Sequence, residues 1–256
     1  MKIHFLGGTE TVTGSKYLVK TQSATVLIDC GLFQGYKWLR ERNWDDPLFD
    51  IKTLDAVVLT HAHLDHSGYI PVLYKKGYRN PVYTHHATKD LCNILLPDSG
   101  HIQEEDAKFI SKHKIGKRKN PQPLYNRLEA VESLSLYTPV DFETTFSVGD
   151  IKIFLQGAGH ILGAASIIIE AEGKRIGFSG DVGRPDDIFM QPPDSLPDLD
   201  LLMLESTYGN RSHGHLDTFQ QLAEIVNDTA EKGGGYSNSQ FCSGACADNH
   251  AYFGRT

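Results

Sequence analysis

Short apolar runs divide the first part of the chain into candidate β-strands. Residues 2–6 alternate between polar and apolar side chains, and residues 17–20 and 25–29 are two further β-type runs. Residues 56–60 (AVVLT) form a continuous apolar run, which is typical of a strand buried on both faces. We therefore predict a strand at each run, and the last of them leads directly into His61.

Helical patterns follow in three later segments. Residues 64–76 have helical character, with the helix proper expected to begin near Pro71 and Gly77 placed to end it. Residues 88–136 are rich in Lys, Glu and His, and they predict a helical excursion on the rim of the fold. Residues 216–232 form an amphipathic pattern that three glycines end.

Strands interleaved with these helices predict a layered α/β fold. The later strands are expected at residues 150–155, 166–171, 175–179 and 199–205. Polar residues cluster where the strands end, and ligands collect at strand ends in folds of this class.

The composition of the 256-residue chain is globular, with 40% hydrophobic and 22% charged residues. Its net charge of −7 excludes a basic nucleic-acid-binding tail, so a phosphate substrate would need a local positive site. A bound metal ion can supply one. The four cysteines lack a disulfide-like spacing, which favours a reducing, cytoplasmic location. No apolar run reaches the length of a bilayer span, so no membrane span is expected.

The strongest chemical signal is HAHLDH at residues 61–66. Alternate residues of an extended segment point the same way, so His61 and His63 can share one metal ion. Asp65 and His66, where the chain turns into a helix, can address a second metal ion. This mixture of imidazole and carboxylate suits Zn²⁺ or Mn²⁺. A solvated polar loop is the alternative, but so dense a ligand set after a buried strand favours a metal site.

Other β-type runs also end in residues that can bind metal ions or protons. They are GAGH at 157–160, SGD at 179–181, LESTY at 204–208 and LIDCG at 27–31. Each is an ordinary loop or turn when taken alone, but such loops are rarely repeated at so many strand ends. Their recurrence selects His160, Asp181, Glu205 and Asp29 as candidate site residues.

Two further patterns carry little weight. Residues 8–16 (GTETVTGSK) look like a phosphate-binding loop, but the Gly-Lys-Ser/Thr order is missing, so we interpret them as a tight turn. Cys242 and Cys246 have no second ligand pair and do not indicate a metal site.

Together, HxHxDH, the glycine-flanked His160 and the later Ser-Gly-Asp resemble the metallo-β-lactamase fold, an αββα sandwich. Additional motifs resemble its β-CASP subgroup of RNA- and DNA-processing nucleases, and residues 96–106 resemble the prokaryotic branch. These motifs are VTGS at 12–15, DCG at 29–31, HILGA at 160–164 and ESTYGNR at 205–211. The resemblance covers residues 2–235.

The resemblance implies a centre of two Zn²⁺ ions, with Mn²⁺ as the alternative. Its implied ligands are His61, His63 and His160 for one ion, Asp65 and His66 for the other, and Asp181 as the bridge. A nearby carboxylate, Asp29, would orient ligand imidazoles.

The implied chemistry is metal-assisted hydrolysis of a phosphodiester in single-stranded RNA. Asp65, Asp181 and Glu205 are the expected catalytic residues, and Glu205 would pair with a downstream histidine that protonates the leaving group. The oligomeric state is left open, with a homodimer as one alternative. A small-molecule metallohydrolase for thioesters or lactones is the alternative function, and a non-catalytic truncated product is another.

The chain departs from the resemblance near its end. We divide it into a metallo-β-lactamase-type part at 1–208, the start of a β-CASP domain at 209–235, and a patternless tail at 236–256. We interpret the tail as the product of a frameshift, since permitted codons read one nucleotide out of frame can encode the family's continuation. A genuinely short, divergent member is the alternative.

This departure has a chemical consequence. The family supplies two further histidines downstream, and neither His213, His215 nor His250 matches their positions. The second metal site is therefore expected to be one ligand short, and nuclease activity is expected to be impaired.

Overall fold

The structure, a computed structural model, describes residues 1–114, 121–212, 218–233 and 235. Predictions about the tail at 236–256, including the cysteine pair and His250, and about His213 and His215 lie outside these residues. The division into domains stays a prediction. None of the helices in the described part combines the length and apolar character that a bilayer span requires.

The first sheet has six strands in chain order. They are β1 (Lys2–Gly7), β2 (Lys16–Lys20), β3 (Thr25–Ile28), β4 (Ala56–Val58), β5 (Val82–Thr84) and β6 (Tyr137–Pro139). The first three strands pair antiparallel, whereas β3 to β6 pair parallel. Parallel strands end at the same edge, so the residues that follow β3 and β4 lie side by side there.

The second sheet has five strands in the order β11-β10-β9-β8-β7. They are β7 (Phe146–Val148), β8 (Ile151–Gly157), β9 (Ala165–Ala171), β10 (Lys174–Phe178) and β11 (Leu201–Met203). Its strands pair antiparallel except for β10 and β11, which are parallel. Leu201 and Leu204, at and after the edge strand β11, are exposed.

The alternating pattern of the strands builds two apolar cores. Val26 and Ile28 of β3 point between the sheets, where they meet Ile153 and Ile167 of the second sheet. Leu27 points the opposite way, into a core shared with the helices. Side chains of successive strand residues alternate between the two faces, so one strand contributes to both cores. The predicted layered α/β fold is confirmed.

Helices cover the outer face of the first sheet. The helices of the described chain are α1 (Lys37–Glu41), α2 (Leu64–Ser67), α3 (Ile70–Lys75), α4 (His86–His113), α5 (Arg127–Ser133) and α6 (Thr218–Glu231). The predicted helix at 64–76 is divided into α2 and α3, and Gly77 follows α3 in the left-handed conformation with φ +100°. Asn126 and Glu129 form a reciprocal capping box at the start of α5.

Candidate metal centre

The candidate site residues lie at strand ends of both sheets. The loop after β4 and the start of α2 carry the HAHLDH ligands, and Asp29 follows β3. From the second sheet, His160 follows β8, Asp181 follows β10 and Glu205 follows β11. The site is therefore assembled along one edge of the sandwich from chain segments far apart in sequence.

Four predicted ligands form one compact cluster, in which all four ligand atoms lie within 4.8 Å of one another. His63 Nδ1 lies 3.0 Å from His61 Nε2 and 3.2 Å from His160 Nε2. Asp181 Oδ2 lies 3.6 Å from His61 Nε2 and 3.5 Å from His160 Nε2. Tetrahedral Zn²⁺ with bonds of about 2.0–2.1 Å separates its ligand atoms by about 3.3 Å. Three imidazoles and a carboxylate at these spacings fit one divalent metal ion.

The second predicted pair faces the other oxygen of Asp181. His66 Nε2 lies 3.3 Å from Asp181 Oδ1 and 3.7 Å from Asp65 Oδ2. Asp181 thus presents one oxygen to each ligand set, as a bridging carboxylate would. Among the described residues, only the first cluster has all its ligand atoms within 4.8 Å. The second metal ion accordingly stays a prediction.

Asp29 is buried behind the predicted ligands and directly contacts one of them, His66. Its Oδ2 lies 2.7 Å from His66 Nδ1 and accepts a hydrogen bond from Ser15 Oγ at 3.0 Å. Its Oδ1 accepts hydrogen bonds from Thr60 N and Thr60 Oγ1 at 2.8 and 2.9 Å. Its backbone has a left-handed φ of +57°, which is rare for a residue other than glycine. Packing and hydrogen bonds hold Asp29 in this conformation.

Burial and neighbouring imidazoles favour the uncharged form of the three histidines in the first cluster. Burial, followed by the nearby histidines, lowers the pKa of His61 well below its ordinary value. Burial also lowers the pKa of His63 and His160. Unprotonated imidazole is the form that binds metal, so these three side chains are ready to act as ligands.

The charges around His66 have the opposite effect. Burial would lower the pKa of His66, but the carboxylates of Asp29 and Asp181 outweigh it and raise this pKa well above its ordinary value. Burial would raise the pKa of Asp181, but its contacts with His66 and other histidines lower it. Burial raises the pKa of Asp65. His66 and Asp181, 3.3 Å apart, thus have pKa shifts that favour the charged form of each.

Backbone hydrogen bonds from two neighbouring loops hold the short helix α2, which carries the predicted ligands Asp65 and His66. Leu32 N and Cys30 N donate hydrogen bonds to the carbonyl oxygens of Leu64 and His66 at 2.8 and 2.7 Å. Ser15 N donates to the carbonyl oxygen of Asp65 at 2.9 Å. Segments at 14–16 and 29–32 therefore hold α2 without using its side chains. Residues 8–16 do not form a phosphate-binding helix start, in agreement with the sequence interpretation.

Hydrogen bonds hold Glu205 next to the segment that carries Asp181. Its Oε1 accepts a hydrogen bond from Val182 N at 3.2 Å, and its Oε2 accepts one from Thr207 N at 3.1 Å. Its own backbone N donates to Ser179 Oγ at 3.0 Å. A cleft of about 330 Å³ runs past these groups and is lined by Asp181, His66 and Glu205.

The sequence interpretation missed Thr60 and Ser15, which lie in the hydrogen-bond network behind the ligands. The sequence pattern places Thr60 only as the last residue of an apolar strand. Its signal in the sequence is a hydroxyl residue that closes an otherwise apolar run immediately before the first ligand, His61.

Comparison with known proteins places these features in a family. Residues 11–231 match the family model of the metallo-beta-lactamase superfamily. Ribonuclease TTHA0252 of Thermus thermophilus is 36% identical over 237 residues, which cover 91% of this chain and 50% of that protein. The transcription termination factor FttA of Methanocaldococcus jannaschii is 32% identical over 241 residues, covering 91% of this chain and 36% of that protein.

A third relative is the endoribonuclease YSH1 of Yarrowia lipolytica, which is 30% identical over 232 residues, covering 90% of this chain and 26% of that protein. The chain thus spans half or less of the length of these relatives. Two of the three names, ribonuclease and endoribonuclease, agree with the resemblance to RNA-processing nucleases. The matched residues contain every member of the metal cluster, and the chain belongs to the metallo-β-lactamase superfamily.

Proposed function

We propose that this chain is the metal-binding part of a hydrolase that cleaves phosphodiester bonds in RNA. The observation that carries the proposal is Asp181, whose two oxygens face His61 and His160 on one side and His66 on the other. A carboxylate shared by two ligand sets supports a centre for two metal ions. Centres of this kind clamp the attacking and leaving oxygens of a phosphate.

Zn²⁺ suits the first ligand set better than Mn²⁺, because three imidazoles and one carboxylate fit tetrahedral zinc. His61, His63, His160 and Asp181 would hold this ion, and Asp65, His66 and Asp181 would hold the second. Bound there, the ions would supply positive charge for the phosphate and lower the pKa of a bound water. A local positive charge of this kind would let a chain of net charge −7 accept RNA.

The protein's own residues orient the reaction. Asp29 holds the imidazole of His66 at 2.7 Å and so fixes which nitrogen faces the cleft. Glu205, fixed through Val182 N, lies at the same edge as Asp181 and is positioned to take part in proton transfer to the leaving group. By the family resemblance Glu205 would work with a downstream histidine, and no histidine of this sequence is assigned to that position.

RNA is proposed as the substrate because two of the three relatives above carry the names ribonuclease and endoribonuclease. The chain covers 50% of the first relative and 26% of the second, so the activity of the whole protein is part of the same proposal.

Elemental analysis and two hydrolysis assays test this proposal. Purified chain would be compared with His63→Ala and with a matched control, His86→Ala, whose imidazole faces Asp141 at 3.4 Å outside the cluster. We expect at least one tightly bound zinc per chain, lost only in His63→Ala. We also expect metal-dependent cleavage of single-stranded RNA and no turnover of a thioester.

Each remaining outcome has a clear meaning. Turnover of the thioester with no cleavage of RNA would replace the nuclease by a small-molecule hydrolase. Equal metal content in wild-type protein and His63→Ala would contradict the metal centre itself.

A further inference from the structure

We propose that the buried hydroxyl of Thr60 is a positioning group that selects the tautomer of His61, that is, which ring nitrogen of the neutral imidazole carries the proton. Through it, one carboxylate, Asp29, orients a histidine in each of the two ligand sets. The inference rests on the proposed metal centre, and it concerns a residue for which the HAHLDH pattern predicts no role. It follows from hydrogen-bond distances and from counting the available protons.

Thr60 lies at the meeting point of three polar groups. It is 1% exposed, and its Oγ1 lies 2.9 and 3.1 Å from the two oxygens of Asp29. The same Oγ1 lies 3.0 Å from His61 Nδ1. It lies 3.4 Å from His66 Nδ1, which has a much shorter contact of 2.7 Å with Asp29. The hydroxyl therefore serves Asp29 and His61.

Proton counting assigns a direction to these contacts. A threonine hydroxyl has one proton to donate, and an ionised carboxylate can only accept. Asp29 therefore accepts a hydrogen bond from Thr60 Oγ1, in addition to those from Ser15 Oγ and Thr60 N. The remaining lone pairs of Thr60 Oγ1 then accept a hydrogen bond from His61 Nδ1–H. With its proton on Nδ1, His61 presents an unprotonated Nε2 to the cluster.

The opposite orientation would disable the ligand. If Thr60 donated to His61 Nδ1, the imidazole proton would sit on Nε2, which lies 3.0 Å from His63 Nδ1. A proton at this position would occupy the lone pair that has to bind metal. Asp29 would also lose one of its buried donors, which is unfavourable for a buried charge. The network therefore favours the metal-competent form of His61 before any metal arrives.

The network links the two ligand sets through a single group. Asp29 contacts His66 directly and His61 through Thr60. Loss of the Thr60 hydroxyl would release His61 and leave His66 in place. Loss of the Asp29 charge would release both. This difference gives the proposal a signature that a simple packing role for Thr60 would not produce.

The test compares Thr60→Val, which keeps the shape but removes the hydroxyl, with Thr60→Ser, which keeps the hydroxyl. NMR of metal-free protein with ¹⁵N-labelled histidine distinguishes Nδ1-protonated from Nε2-protonated rings. We expect Nδ1 protonation of His61 in wild-type protein and in Thr60→Ser, and a mixed population in Thr60→Val. The signals of His66 should not change in either variant.

Zinc affinity, measured by competition with a chromophoric chelator, provides the second readout. Thr60→Val should bind zinc at the first site about 10–100-fold more weakly, the range found when such supporting partners are removed. Thr60→Ser should stay close to wild type. If Thr60→Val does not fold, Thr60→Ala removes the hydroxyl without adding a branched side chain and takes its place.

Two outcomes would overturn the inference. One is a wild-type His61 signal and wild-type zinc affinity in Thr60→Val. The other is an equal loss in the Val and Ser variants, which would mean that shape rather than the hydroxyl matters. Failure of RNA cleavage alone would count against the proposed function and leave this result standing, because neither readout uses a substrate.

Discussion

Gly31 lies against the carbonyl group of Asp65, so close that a Cβ atom on Gly31 would lie 1.5 Å from that oxygen. This contact lets Cys30 N and Leu32 N donate their hydrogen bonds to the backbone of α2 on either side of Asp65. The loop after β3 and the ligand-bearing helix are therefore joined backbone to backbone. Any side chain at Gly31 would separate them.

We expect Gly31→Ala to destabilise the protein by at least about 3 kcal/mol, because a backbone oxygen cannot move aside as a flexible side chain can. Zinc content should fall with it, since α2 carries Asp65 and His66. Gly35→Ala is the matched control on the same loop. No heavy atom lies within 4 Å of its added Cβ, and its φ of +79° should make the loss only about 1 kcal/mol. Urea denaturation of both variants measures the difference, and equal losses would contradict the contact.

Lys16 gives a prediction about pH. Lys16 is only 7% exposed. Its ammonium group lies 4.6 and 4.9 Å from the ring centres of Phe33 and Tyr69 and donates a hydrogen bond to the carbonyl oxygen of Gly31. Burial lowers the pKa of Lys16 from 10.5 to about 8. Between these values the unfolded chain binds more protons than the folded protein does. Raising the pH through this window therefore favours the folded state.

The free energy of unfolding of wild-type protein should rise by about 1 kcal/mol relative to Lys16→Met between pH 7 and pH 9. Comparing the two proteins cancels contributions from titratable groups that lie far from Lys16. Lys37→Met, which changes an exposed lysine of α1, should show the same pH dependence as wild type. Identical slopes for wild type and Lys16→Met in urea titrations would show that Lys16 keeps an ordinary pKa.

Glu205→Gln separates catalysis from metal binding. The amide keeps one oxygen to accept a hydrogen bond but loses the charge beside Asp181. We expect unchanged zinc content and hydrolysis of a phosphodiester reduced by about 100-fold or more, as for loss of a proton-transfer group. Glu105→Gln, an exposed change on α4 next to Lys108, is the control. Loss of zinc in Glu205→Gln would assign this carboxylate to the ligands instead.

Removal of metal should lower the thermal stability of the protein. A ligand present at about 100 times its Kd stabilises the folded state by about 2.7 kcal/mol, which corresponds to about 5–10 °C in Tm for a chain of this size. Chelation should lower Tm by this amount, and added zinc should restore it. His63→Ala should have the lower Tm with or without chelator. A chelator-dependent shift that persists in His63→Ala would place the stabilising metal elsewhere.

The sequence predicts the local parts of this molecule well. His61, His63, Asp65 and His66 are close in sequence, so their chemistry is readable from spacing alone. The longer strands and α3 are also found where the apolar pattern predicts them. The strands β5, β6 and β7 were not predicted, because none of them lies in an apolar run like those at residues 56–60 and 199–205, which mark the equally short β4 and β11.

Other features depend on contacts that no local pattern contains. That Asp181 presents a different oxygen to each ligand set depends on how the two sheets pack. Thr60 reads as an ordinary β-branched strand residue, and its role becomes visible only beside Asp29. The buried position of Lys16 is equally hidden, because its aromatic neighbours Phe33 and Tyr69 come from other segments.

The division of the ligands between the two sheets also sets an order of events during synthesis. His61 and His63 leave the ribosome long before Asp181, and a chain carrying only the first two is a weak chelator with no bridging carboxylate. The proposed first metal site is therefore incomplete in a nascent chain until the second sheet, which positions His160 and Asp181, has been made and has docked. Uptake of the ion would mark the moment at which this part of the protein completes its folding.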